Sequence, residues 1–108
     1  MSDKLVSICI PTYNGGKFIR ETLESIKALT YDNIEVIVTD DCSADDTLDI
    51  CREYDFVKIF INEERQGLVG NWNMAVSKSS GYYIKVIGQD DLLAPNSISK
   101  QVVALEQN

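Results

Sequence analysis

The sequence contains no histidine. That removes an imidazole general base, a Ser-His-Asp triad and any His-ligated metal from the chain's repertoire. Proton transfer, if it occurs here, falls to a carboxylate, Lys, Tyr or Cys. Cysteine is scarce and odd in number, at Cys9, Cys42 and Cys51. The spacing matches no zinc pattern, and the odd count points to reduced thiols in a cytosolic setting. Positive charge is also short: ten Lys and Arg stand against seventeen Asp and Glu, a net charge of −7. This argues against a broad electrostatic grip on nucleic acid or on an anionic membrane. No apolar run approaches the roughly 18 residues of a membrane span. The opening "MSDKLVSICIPTYN" has too short an apolar stretch for a signal peptide, and no small-residue cleavage site follows it. There is no internal repeat, linker or low-complexity segment, and no G-x-G-x-x-G follows the first apolar run.

What is present is a chain of 108 residues, a length that favours one domain with a real core. Leu5 to Ile10 is a Val/Ile-rich run stopped by Pro11 and predicts a buried strand. "YNGGK" is a turn. Ile19, Leu23 and Ile26 then recur at helical spacing between Lys17 and Leu29. Ile34 to Thr39 predicts a second strand, ending in Asp40 and Asp41. Ser43 with Asp46 resembles a capping box and predicts a helix through about Glu53. Val57 to Ile61 is a third strand, followed by the polar loop "NEERQG" and a helix from about Gly70 to Ser79. Tyr82 to Ile87 is a fourth strand, and Ile98, Val102 and Leu105 after Pro95 predict a last helix. Apolar strands alternating with helices argue an α/β fold with a mostly parallel sheet flanked by helices. Ligands of such sheets bind beyond the carboxyl ends of the strands. Three strands end there in polar residues: Thr12-Tyr13-Asn14, Asp40-Asp41 and Asp90-Asp91.

Each of these has two readings. Asp90-Asp91 suits a hard cation such as Mg²⁺ or Mn²⁺ that also takes phosphate oxygens, or it is a solvated pair capping a turn. Asp40-Asp41 can accept from a base N–H or ribose hydroxyls, or Asp41 or Ser43 caps the next helix. Tyr13 can lie against a nucleobase or pack within its loop. Gly15 and Gly16 serve the turn. Asn71 and Asn73 are expected to cap a helix rather than reach a ligand, and Trp72 to pack in the core or an interface. Lys85 is expected to snorkel at a sheet edge. Cys42 sits near an expected helix N-terminus, which would lower its pKa, but no His is available as its base.

Together these motifs resemble family 2 glycosyltransferases, which have the GT-A fold. The resemblance runs from about Leu5 to Pro95. It rests on "PTYN", a strand ending in "DD" plus Ser, and the late "DD…P" within "YIKVIGQDDLLAP". It implies a Rossmann-like GT-A sheet truncated before the acceptor-binding half, with residues 1–108 a nucleotide-sugar donor-binding domain. It implies a nucleotide-diphosphate sugar donor, UDP-linked by first expectation, and Mg²⁺ or Mn²⁺. Pro11, Thr12 and Tyr13 match the base-contacting segment. Asp40 and Asp41 match the acidic pair of which one member usually holds base or ribose, and Asn14 and Gln89 are expected to contact the nucleotide beside them. Asp90 matches the last acid of the D-x-D motif, with Asp91 as its neighbour.

Two departures stand out. The first acid of D-x-D falls at Gly88, with Gln89 in the middle, and Trp72 stands where many members carry Arg. The catalytic base, an Asp or Glu in relatives, is expected beyond Asn108. The implied activity is inverting sugar transfer in polysaccharide biosynthesis, onto a glycan, lipid or protein acceptor. The implied place is the cytoplasm, peripheral to the membrane through the rest of a longer enzyme. Apolar surface left where that remainder would pack leaves a homo-oligomer open. Two alternatives stand beside this reading: a non-catalytic nucleotide-binding or interaction module of GT-A-like fold, and a receiver-type phosphoacceptor domain. The second fits poorly, because its acidic pair should follow the first strand.

Overall fold

A computed structural model describes residues 3–107. The chain runs β1 (Val6–Thr12), α1 (Ile19–Lys27), β2 (Ile34–Asp40), α2 (Thr47–Cys51), β3 (Val57–Ile61), α3 (Gly67–Lys78), β4 (Tyr83–Val86) and α4 (Ser97–Glu106). The sheet order is β3-β2-β1-β4, and all three pairings are parallel. From β1 the chain steps outward to β2 and β3, then returns to place β4 on the other side of β1. The strand order therefore reverses between β1 and β4, the place where open α/β sheets form a crevice.

The period of two along a strand sorts residues onto two faces. Val6, Ile8, Ile10, Val36 and Val38 form one buried face with Ile19, Leu23 and Ile26 of α1, Ile50 and Cys51 of α2, and Ile98 and Val102 of α4. Truncating one of these, such as Leu23, should cost about 2–5 kcal/mol through lost burial and the cavity left behind. The other face carries Ser7, Cys9, Glu35, Ile37 and Thr39, also buried, and α3 covers it. There Cys9 Sγ approaches the Ala75 carbonyl at 3.6 Å and Thr39 Oγ1 donates to the Asn71 carbonyl at 3.2 Å.

A buried carboxylate on that second face has to be matched. Glu35 accepts hydrogen bonds from Ser7 Oγ, Lys58 Nζ, Ser80 N and Ser80 Oγ. Burial works to raise its pKa, and these bonds outweigh it and hold the group down at about 2. The network ties the α3–β4 turn to the foot of the sheet, at the end away from the strand-end crevice. Gly81 is required there, because an added Cβ would press on Ser7 N at 2.6 Å.

The strands and helices lie where the hydrophobic pattern places them, with three differences. β1 continues through Pro11 to Thr12. Thr12 O accepts from Asp41 N on the β2 side, so the missing Pro11 N–H points toward β4. Pairing with β4 has ended by then, at Cys9 and Val86, and no ladder bond is lost. α2 begins at Thr47 rather than Ser43, because Asp45 Oδ1 accepts from Thr47 N at 3.0 Å and forms a tight turn in front of the helix. Ser43 is not a cap, and Cys42 is not at a helix N-terminus. α3 begins at Gly67, three residues early, for a reason that lies in the crevice. Near the end of α4 the exposed Glu106 pairs with Lys4 at 3.1 Å and accepts from Tyr83 OH.

Candidate functional site

At the carboxyl edge of the sheet lies a cleft of about 370 Å³. Pro11, Thr12 and Tyr13 from the end of β1 form one wall, and Ile87, Gly88, Gln89 and Asp90 after β4 form another. Asp41 after β2, Arg65 before α3, and Gly67, Leu68, Asn71 and Trp72 of α3 close it. Residues far apart in sequence are gathered by the parallel topology, as expected for the strand ends.

The segment after β1 is shaped by other loops rather than by a ladder. Asn14 takes a left-handed φ of 49°, which Asn tolerates better than most residues. Its N–H donates to Ser43 Oγ and its Oδ1 accepts from Ala44 N, both at 2.8 Å. Gly15 N donates to Thr47 Oγ1 and Gly16 N to Asp45 Oδ2, both at 2.9 Å. A Cβ on Gly16 would collide with the Asp46 carboxylate. The β2–α2 loop is thus a set of acceptors for the backbone of Asn14 to Gly16. Hydrogen bonds, Thr47 first, outweigh burial and hold the Asp45 carboxyl below its ordinary range.

The two adjacent acids after β2 separate in role. Asp40 is fully buried. It accepts from Thr12 Oγ1 at 2.7 Å, Ser43 N at 2.9 Å and Ser43 Oγ at 2.6 Å, locking β1 to the β2–α2 loop. Asp41 points the other way. Its Oδ1 accepts from Gln66 N at 2.7 Å and Asn62 Nδ2 at 3.1 Å. Its Oδ2 accepts from Gly67 N at 3.0 Å and Arg65 Nε at 3.1 Å. Burial works to raise its pKa, and these four donors outweigh it and hold the carboxyl below the usual range. Asp41 therefore caps α3 from another strand, satisfying the first N–H groups of the helix. That is why α3 starts at Gly67, whose φ of 76° suits only glycine comfortably.

Asn71 consequently lies inside the helix and is no cap. Its Nδ2 donates to Thr39 O at 3.0 Å and Thr12 O at 3.2 Å, and its Oδ1 accepts from Asn62. It stitches α3 to the ends of β1 and β2. Trp72 is not core packing: it is half exposed at the cleft mouth, beside the strongly exposed Leu68. Arg65, in a loop that gave no signal beyond polarity, brings a cation into the cleft and stacks over Tyr13.

After β4, Asp91 Oδ2 accepts from Gly88 N at 2.7 Å and closes a turn. Asp90 is exposed and lines the cleft. No hydrogen-bond donor among the described residues reaches its carboxylate, so it is available to a ligand. A Cβ at Gly88 would sit 3.2 Å from Asp90 Oδ1, so the absent first acid of the motif leaves room for the one that remains. Six of the nine residues expected to hold nucleotide or metal line the cleft: Pro11, Thr12, Tyr13, Asp41, Gln89 and Asp90. Asn14, Asp40 and Asp91 are instead engaged in holding loops. Among the described residues, no group of three or more His, Cys, Asp or Glu forms a metal cage. Cys9 and Cys51 are buried and Cys42 is exposed, all as free thiols. Burial, first of all, pushes Cys9 and Cys51 up to about 11, away from nucleophilic use.

The model of the family "Glycosyl transferase family 2" matches residues 7–108. The chain belongs to that family. An uncharacterised glycosyltransferase of Rickettsia prowazekii is 37% identical over 103 residues, which cover 95% of this chain and 32% of that protein. The structure of Staphylococcus aureus TarS 1-349 in complex with UDP superposes with a TM-score of 0.89 at 29% identity, covering 94% of this chain and 32% of that one. The mannosyltransferase PcManGT of Pyrobaculum calidifontis, in complex with GDP-Man and Mn²⁺, gives 0.74 at 28% identity over 82% of this chain and 28% of that one. The fold is thus the Rossmann-like GT-A arrangement, and the chain spans about a third of the first two of these proteins. Among the described residues, no helix is long and apolar enough to cross a membrane.

Proposed function

We propose that residues 1–108 bind the nucleoside diphosphate of a sugar donor, with UDP as the first candidate, and form the donor half of a glycosyltransferase. The observation that carries this is the meeting of Tyr13, Arg65 and Asp90 around one cleft at the strand-order reversal. A planar base fits against the Tyr13–Arg65 stack, and the diphosphate extends toward Asp90. UDP in TarS supports the choice of ligand. Asp41, with both oxygens already accepting, acts chiefly by fixing Arg65 and the start of α3.

The carboxylate of Asp90 fits a hard divalent ion, Mg²⁺ or Mn²⁺, in the sense that oxygen ligands suit such ions. Among the described residues no cage of three or more acids forms, and Asp90 is the side chain of this chain that would hold the ion at the diphosphate end of the cleft. When bound it offsets negative charge on the departing nucleoside diphosphate. In the reaction the bond between the sugar's anomeric carbon and the phosphate oxygen breaks. A bond from the acceptor hydroxyl oxygen forms on the opposite face, with inversion, and the hydroxyl proton passes to a base outside this chain. The acceptor is a glycan, lipid or protein hydroxyl, and the parent role is polysaccharide biosynthesis. Free thiols support a cytoplasmic place, peripheral to the membrane through the remainder of a longer protein.

Calorimetry of UDP binding with Mn²⁺ and with EDTA tests the reading. The expected result is at least tenfold tighter binding with Mn²⁺, a gain that Asp90→Ala abolishes. Equal affinity under both conditions overturns it.

A further inference from the structure

Beyond Cys9 and Val86, β1 and β4 no longer pair as strands, and one last backbone bond joins Ile87 N to Cys9 O at 3.0 Å. Yet Tyr13 and Asp90, at opposite walls of the cleft, lie further along these two diverging segments. The side chain of Gln89 bridges them. Tyr13 N donates to Gln89 Oε1 at 2.9 Å, and Gln89 Nε2 donates to Tyr13 O at 3.1 Å. A carboxamide has one acceptor and one donor side by side, the same pair a neighbouring strand would offer. Gln89 thus supplies the rung that the separated strands cannot.

Two further observations show that this rung is built in. The backbone of Gln89 is itself anchored, its carbonyl accepting from Thr22 Oγ1 at 2.8 Å. The space for its side chain is provided by Gly15, where an added Cβ would collide with Gln89 Oε1 and Cδ. Gly15 carries no left-handed φ, so its lack of a side chain answers to Gln89 and not to backbone strain.

We propose that Gln89 is a positioning residue for the donor site. It holds Tyr13 in register with Asp90, so that the base end and the diphosphate end of one nucleotide can be engaged together. The inference rests on the donor-binding reading above and gives Gln89 an indirect task there, in place of a direct nucleotide contact. It also links Gly15 and Gln89 as one unit: harm from a side chain at 15 should act through the amide at 89.

The test uses Gln89→Ala, Gly15→Ala and the double variant, with amide hydrogen exchange and calorimetry of UDP with Mn²⁺. Without ligand, the Tyr13 amide should exchange at least tenfold faster in Gln89→Ala, while the Ile8 and Ile10 amides in the core of β1 are unchanged. Unchanged Tyr13 protection overturns the clamp. Each single variant should weaken UDP binding about tenfold, and the double should be no weaker than either, since residues acting as one unit are non-additive. A double variant weakened about a hundredfold overturns the link between Gly15 and Gln89. Loss of Tyr13 protection with unchanged UDP affinity overturns the positioning role. Gln89→Glu adds a readout that a merely structural change would not give. Its carboxylate still accepts from Tyr13 N but has no proton to donate to the Tyr13 carbonyl, so it should keep the Tyr13 amide protected without restoring UDP affinity. Full UDP affinity in Gln89→Glu counts against the paired amide. If the unaltered chain does not bind UDP, the donor reading falls, and Tyr13 exchange alone decides the clamp.

Discussion

Arg65 lays its guanidinium 3.7 Å from the centroid of the Tyr13 ring, while its Nε donates to Asp41 Oδ2 at 3.1 Å. The arginine is half exposed, so solvent screens the pair and its worth to the fold is small, about 1 kcal/mol. Its worth to a ligand is larger, because it is a cation beside an aromatic face. Arg65→Ala should shift the urea midpoint only slightly but weaken UDP binding about tenfold. Arg65→Lys keeps the charge without the planar stack and should recover only part of that loss. Unchanged UDP affinity in Arg65→Ala would remove Arg65 from the site.

Asp41 behaves in the opposite way. Its carboxylate satisfies the N–H groups of Gln66 and Gly67, and an amide in its place turns a donor toward donors. Asp41→Asn should cost about 2–3 kcal/mol in urea denaturation, with faster amide exchange at Gln66 and Gly67 first. A loss below about 0.5 kcal/mol would show that α3 does not depend on this remote cap.

Glu35 makes stability depend on acid. Its carboxyl sits at about 2 in the fold against 4.5 as the ordinary value. The folded state therefore binds the proton less readily than the unfolded chain. The resulting stabilisation is complete above about pH 4.5 and fades as pH falls toward 2, amounting to roughly 3 kcal/mol at neutral pH. Glu35→Gln should be less stable at pH 7 and lose less between pH 4.5 and 2, as followed by thermal unfolding. Parallel pH profiles would mean that the Ser7–Ser80 network carries no such linkage.

The adjacent acids Asp90 and Asp91 should divide under substitution. Asp90→Ala should leave urea stability within about 0.5 kcal/mol, as for a surface site, and abolish the Mn²⁺ gain in UDP affinity. Asp91→Ala removes the bond to Gly88 N and should cost about 1 kcal/mol while keeping part of the Mn²⁺ gain. The reverse pattern would assign the ligand role to Asp91.

Much of this arrangement was legible in the sequence because it depends on short-range pattern. Short, continuously apolar Val/Ile-rich runs located β1 to β4, and strand ends predicted which polar residues would share an edge. What escaped depends on contacts between distant segments. Asp41 and Gln66 are joined only through the fold, so no local capping motif announced where α3 begins, and Asn71 was expected at a helix start that lies further back. Ser43 resembled a cap because its spacing to Asp46 is right, yet its hydroxyl is taken by Asp40. Arg65 sits in "NEERQG", where charge signals only solvation until Tyr13 is placed beside it.

The turn from Asn14 to Gly16 takes its form from Ser43, Asp45, Thr47 and Gln89, which belong to two other parts of the chain. Grafting "PTYNGG" alone into another scaffold would therefore transfer the letters without the shape. Any exchange of nucleotide preference by loop transplantation would have to move all three segments as a set.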